Sequence, residues 1–211
     1  LVHAGKRILE QLSPYASNIA AQRLRALGVK ILLNESVTHV TENGVTLASG
    51  ETLASNSVFW TAGTESTLKT LLPPEYLTDR DLLAITPTFQ LPGHPEVFGI
   101  GDCTMMNDPE FTYPPLAQAA TQASRIVAKN IIAYLSHAPL IQKPYRHKGD
   151  IIPIGNRFGI FESKRMFITG FSSWVLRRIV FLHTMFGWGN KLQVFFDWCI
   201  GIFLSRDTSD F

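Results

Sequence analysis

Val97-Phe98-Gly99-Ile100-Gly101-Asp102 is the stretch whose reading decides the fold. Branched and aromatic residues from Val97 to Ile100 predict a buried strand, the glycines let a ligand approach the backbone, and a carboxylate stands at the strand's carboxyl end. Open α/β sheets bind ligands at that end of their strands. Asp102 is thus placed to accept hydrogen bonds from a polyol, although a strand that merely ends in an aspartate turn reads the same way.

Upstream, Leu1-Val2 reads as the last part of a strand, so the chain is expected to continue a longer protein; no signal peptide is visible. Ser13-Pro14 predicts a helix start, since serine caps and proline has no amide to leave unpaired. Ala16, Ile19, Ala20, Leu24 and Leu27 recur at helical spacing, Gly28 supplies the stop, and Val29 to Leu33 predicts a strand. Strand, helix and strand in that order imply a parallel crossover. Val37 to Thr41 and Val45 to Leu47 flank an Asn-Gly turn within a small three-stranded insert, Val58 to Ala62 predicts a further strand stopped at Gly63, and the proline-rich segment 65–95 is expected to be irregular.

Downstream, a loop from Cys103 to Thr112 leads to a predicted helix from Pro115 to about Tyr134. Ala117, Ala120, Ser124, Ala128 and Ile131 offer it a narrow face of small residues for close packing. Gln118 and Gln122, at i and i+4, share one helix face and can present amides to a planar ligand near the helix start, or stand in solvent. Ile151 to Ile154 and Gly159 to Phe161 predict two meander strands, with helical patterns over 171–186 and 190–204. The fold class is therefore α/β, with partial doubly wound, Rossmann-like units and a helical end.

The net charge of +2 hides an asymmetry: residues 1–142 hold 9 Lys/Arg against 12 Asp/Glu, and residues 143–211 hold 10 against 5. The basic end also carries Trp174, Trp188, Trp198 and ten of the fourteen phenylalanines, a composition that suits an anionic membrane surface, with a nucleic-acid surface as the competing reading. Trp174, Val175, Ile179, Leu182 and Phe186 fall on one helix side flanked by Arg177 and Arg178, and Leu192 to Leu204 is too short to cross a bilayer, so this end is expected to lie on a membrane or form a core or dimer surface. Cys103 and Cys199 are unpatterned, and the scattered histidines have no metal-ligand spacing.

Thr86-Pro87-Thr88 with Gly93 to Cys103 resembles the second FAD signature of the two-dinucleotide-binding-domain flavoprotein reductases. Pro114-Pro115-Leu116-Ala117-Gln118-Ala119-Ala120-Thr121-Gln122 resembles the glutamine segment of type II NADH:quinone oxidoreductases, and the tail with His183, Gly187, Asn190-Lys191-Leu192, Trp198 and Arg206-Asp207 is similar to that family's membrane-binding region. The resemblance covers nearly the whole chain. It implies residues 1–65 as the later part of an NAD(P)H-binding domain, 66–140 as the end of an FAD-binding domain, and 141–211 as a meander with a membrane- and quinone-binding region. It further implies FAD held by Gly101, Asp102, Leu116, Ala117 and Gln118, with NAD(P)H as substrate near His3 and Gly63. Gln118 and Gln122 are then the catalytic candidates, on the quinone side and facing the terminal helices.

His3 stands where this family places the residue facing the adenine ribose. An acidic residue there selects NADH. With Lys6 and Arg7 close behind, the position admits a 2′-phosphate and leaves NADH and NADPH both open. Neither glycine fingerprint is present, so both are expected before Leu1 and the chain is expected to be inactive alone. The implied partners are a quinone and anionic lipids, with a homodimer also open and nucleic acid not expected. The implied location is peripheral, on the cytoplasmic face of a bacterial plasma membrane or an equivalent organelle membrane. A soluble flavin reductase with a protein acceptor and a helical dimer interface is the alternative.

Overall fold

The computed structural model describes residues 1–63, 65–106 and 108–203. Its contacts fall into two units: residues 1–59 with the described residues from 149 on, and residues 60–148.

The first unit opens with β1 (Val2–His3), α1 (Pro14–Ala26) and β2 (Leu32–Leu33), and β1 and β2 pair in parallel, Val2 with Leu32 and His3 with Leu33. The Ser13 side chain accepts the Ala16 N–H at 3.2 Å, and the Ser13 N–H donates to the Glu162 carboxylate at 2.9 Å, so the helix start is capped as its sequence predicts. Gly28, at φ +85°, ends it in the left-handed region. β3 (Val37–Thr41), β4 (Gly44–Leu47) and β5 (Thr52–Ala54) form the expected antiparallel insert. Residues 58–62 form no strand, contrary to expectation. Among the described residues none pairs with them, and an extended run without a ladder partner leaves its backbone to water, as the 89% exposure of Phe59 reflects.

In the second unit β6 (Leu83–Ile85), β7 (Gln90–Leu91), β8 (His94–Phe98) and β9 (Thr104–Met106) precede α2 (Ala117–Leu135). The strand expected over 97–100 lies instead at 94–98 and runs antiparallel to β7, because Pro92-Gly93, with Gly93 at φ +80°, closes a tight turn that draws the pairing upstream. The parallel pair is β6 with β9, so both the segment expected to be irregular and the expected 103–112 loop contain strands. α2 buries Ala119, Ala123, Ile126, Val127 and Asn130, and Ala123, Ile126 and Val127 pack with Leu83, Ile85, Phe89, Leu91 and Met106. The small-residue face expected to pack is the open one, with Ala117, Ser124, Ala128 and Ile131 exposed, because the larger Ile126 and Val127 gain more from burial.

The chain returns to the first unit through β10 (Asp150–Pro153), β11 (Gly159–Glu162) and β12 (Phe167–Gly170), an antiparallel meander whose Ile160 packs with Ala16 and Ala20 of α1. α3 (Phe171–Thr184) and α4 (Trp188–Phe203) follow. Ser173 is fully buried against Gly159, where an added Cβ would meet its Oγ at 3.1 Å. The Arg178 guanidinium lies 3.9 Å from the Trp174 ring centre and 4.7 Å from that of Trp198, joining the two helices. The expected apolar stripe is split: Trp174, Val175 and Leu182 are half-buried, whereas Ile179 is exposed and Phe186 reaches 93%. Among the described residues no helix is long and apolar enough to cross a membrane; Leu204, Arg206 and Asp207 lie outside them.

Candidate functional site

The turn after β8 is built by its glycines. An added Cβ on Gly99 would meet Leu83 Cδ2 at 2.8 Å and Thr104 Cγ2 at 3.0 Å, so only glycine lets this backbone pass over β6 and β9. Gly101 sits at φ +85° with nothing within 4 Å of where its Cβ would be. Its carbonyl accepts the Thr104 N–H at 3.1 Å and the Thr104 hydroxyl at 2.8 Å. This closes the turn and leaves Asp102 at its tip, exposed and without a hydrogen-bond or ion-pair partner among the described residues. A free carboxylate beside an open backbone is a ready acceptor for hydroxyl groups.

Leu116 is the extended residue before α2 and provides no side-chain cap. The N–H of Ala117, in the first turn, has no intrahelical acceptor and belongs to an exposed residue at the positive end of a 19-residue helix. The open turn at Gly101-Asp102 and this uncapped helix start fit a cofactor with a polyol chain and a ring that takes up negative charge, as FAD has.

Gln118 and Gln122 do share a face, and their amides are engaged. Gln122 donates to the Arg146 carbonyl at 2.9 Å and accepts the Arg146 N–H at 3.2 Å. Gln118 accepts the Lys148 N–H at 3.1 Å, and its Nε2 lies 3.5 Å from His147 Nδ1, which also meets the Tyr145 hydroxyl at 3.1 Å. The rings of Phe89, Tyr113 and Tyr145 follow at 5.1 and 5.6 Å, linking this cluster to the core. Sequence reasoning missed Tyr145 and His147 as members, since nothing in a spacing of 24 to 30 residues marks them as neighbours of the glutamines.

The nucleotide candidates are arranged differently. His3 belongs to the first unit and Gly63 to the second, where Gly63 is exposed at φ +78°. His3 Nε2 is buried without a hydrogen-bond partner among the described residues, against Gly5, where an added Cβ would meet it at 2.8 Å. Arg7 donates to the carbonyls of Leu12 and Glu10, each at 2.7 Å, so its guanidinium braces the loop after β1. Of the cations that a 2′-phosphate could meet there, the exposed Lys6 remains.

A family model for the pyridine nucleotide-disulphide oxidoreductases matches residues 1–124. The chain is 26% identical over 217 residues to the type II NADH:quinone oxidoreductase Ndh of Mycobacterium tuberculosis, covering 98% of this chain and 46% of that protein. It is also 26% identical over 218 residues to the demethylphylloquinone reductase NdbB of Synechocystis, covering 99% and 54%. The chain thus spans about half the length of these curated relatives. The NDH2 of Plasmodium falciparum, solved in complex with NADH, superposes with a TM-score of 0.83 at 16% identity, over 97% of this chain and 58% of that one. The chain belongs to the pyridine nucleotide-disulphide oxidoreductase family, and over nearly its whole length it resembles that family's type II NADH:quinone oxidoreductases.

Proposed function

We propose that this chain forms the carboxyl-terminal half of an FAD-dependent enzyme that passes electrons from NAD(P)H to a membrane quinone. The observation that carries the reading is the unpartnered Asp102 carboxylate at the tip of the Gly99–Asp102 turn, followed by an uncapped helix bearing two glutamines. Bound FAD would supply the two-electron chemistry between nicotinamide and quinone. Asp102 would accept hydrogen bonds from its ribitol, Gly101 would keep the backbone open to it, and the helix start from Leu116 to Gln118 would stabilise charge on its ring. Gln118 and Gln122 would act as positioning residues that hold residues 146–148 and so shape the quinone side. The spent Arg7 weakens the case for a 2′-phosphate and favours NADH.

The relatives' quinone chemistry needs access to lipid, and α3 and α4 offer it. Phe186 and Trp188 are exposed by 93% and 80%, with Phe181, Phe195 and Phe196 also open, while Arg177 lies 4.5 Å from the Phe181 ring centre and Lys191 5.4 Å from that of Trp188. Rings at headgroup level with adjoining cations suit a peripheral anchor on anionic lipid.

The test has two arms. The 211 residues alone should not reduce quinone with NAD(P)H, and turnover by them would refute the division of the site. In the full-length protein Asp102→Ala should release the yellow cofactor while the circular dichroism of the fold persists. Full flavin retention in that variant would refute the role of Asp102.

A further inference from the structure

The segment 141–148 runs antiparallel along α2 and is fastened to it by side chains standing in for a strand. Asn130, fully buried, donates to the Ile141 carbonyl at 2.9 Å and accepts the Ile141 N–H at 2.8 Å; Gln122 pairs with Arg146 and Gln118 with Lys148. From Gln118 to Gln122 the helix rises about 6 Å, and residues 146 to 148 extend about 7 Å, so these rungs match. From Gln122 to Asn130 the rise is about 12 Å, whereas residues 141 to 146 extend about 17 Å. The segment therefore has slack over this span, and a cavity of about 260 Å³ lies between those two rungs.

Arg125, Lys129 and Lys143 line this cavity together with Tyr113, Gln122, Ile126 and Ile141, and no carboxylate is among its lining residues. Among the described residues none of the three cations has an acidic partner within 4.0 Å. The Tyr113 hydroxyl donates to the Lys143 carbonyl at 2.9 Å, which holds the far wall in place between the rungs. Three unpaired cations on a preformed, partly apolar recess attract a compact multivalent anion, and guanidinium with ammonium groups is the donor set that takes phosphate.

We infer that this recess binds a phosphate-bearing ligand, a small phosphate ester or diphosphate or the phosphate of a lipid headgroup, at Arg125, Lys129 and Lys143. None of the residues lining the recess belongs to the Asp102 turn, and the phosphate site does not depend on the flavin reading.

Inorganic pyrophosphate is titrated calorimetrically into the full chain at constant ionic strength, and co-sedimentation is measured with phosphatidylcholine vesicles containing phosphatidic acid. Arg125→Gln/Lys129→Gln changes two exposed positions, and Lys164→Gln/Arg165→Gln serves as a control of equal charge. The expected result is saturable one-to-one binding, weakened about tenfold, or 1.4 kcal/mol, in the first variant and unchanged in the control. Loss of pyrophosphate binding with unchanged vesicle binding identifies a soluble ligand; loss of vesicle binding identifies the headgroup. Absence of both effects, or equal weakening in the control, overturns the site.

Discussion

Replacing Gln122 with alanine removes the two hydrogen bonds through which its amide grips Arg146, at 2.9 and 3.2 Å. Each is neutral and exposed, so each contributes at the low end, about 0.5–1 kcal/mol net, and alanine leaves the helix itself intact. The free energy of local opening at residue 146 should therefore fall by about 1–2 kcal/mol, which speeds exchange of the Arg146 amide by roughly 5- to 30-fold. Lys148, whose N–H is held by Gln118 at 3.1 Å, keeps its own rung and should change by less than about threefold. Amide hydrogen exchange at fixed pH and temperature reads both residues, with the buried Val127 of α2 as an internal reference. Unchanged protection of Arg146 would refute the claim that Gln122 fastens this segment and would return the glutamine to the role of a free ligand contact. A matched quinone-reduction assay on the full-length protein should then show a raised KM with little change in kcat, as expected of a positioning residue.

Asn130→Ala strips three part-buried hydrogen bonds from Thr88 and Ile141 and should lower stability by about 2–3 kcal/mol, read as a reduced urea midpoint at constant slope; a loss under about 1 kcal/mol would contradict the satisfied geometry. Ser13→Ala removes the cap of α1 and should cost about 1 kcal/mol in the same assay, whereas Ser13→Gly should cost only a few tenths. Partial burial raises the Tyr113 phenol above its ordinary value, so its protonated form is the one the fold favours. Its contribution is full below the ordinary tyrosine range and lost as pH climbs through the raised value; an ultraviolet titration should show a late step that Tyr113→Phe abolishes, and simultaneous ionisation of all five tyrosines would count against it.

Local chemistry was legible along the chain: Ser13-Pro14 and Gly28 bound α1, the hairpin of the insert falls beside Asn43-Gly44 although Glu42-Asn43 make the turn and Gly44 opens β4, and the helical spacing near the end yields α3 and α4 within two residues of their limits. These features depend on residues a few positions apart, so caps, turns and periodicity carry them without help from the rest of the fold. The Gly101-Asp102 turn was legible for the same reason, since glycine and an aspartate mark it within a handful of residues. Which face of α2 is buried was not, because Ala117 to Ile131 and Ala119 to Asn130 are both apolar or small enough, and only the wall of β6, β7 and β9 decides between them. Nor was the short strand at 104–106, whose partner lies 21 residues upstream, or the failure of 58–62 to become one, since a strand exists only with a neighbour to pair with. The glutamines show the division most plainly: their shared helix face follows from a spacing of four, but what their amides hold depends on a segment more than twenty residues away, and only the return of residues 141–148 along α2 settles it.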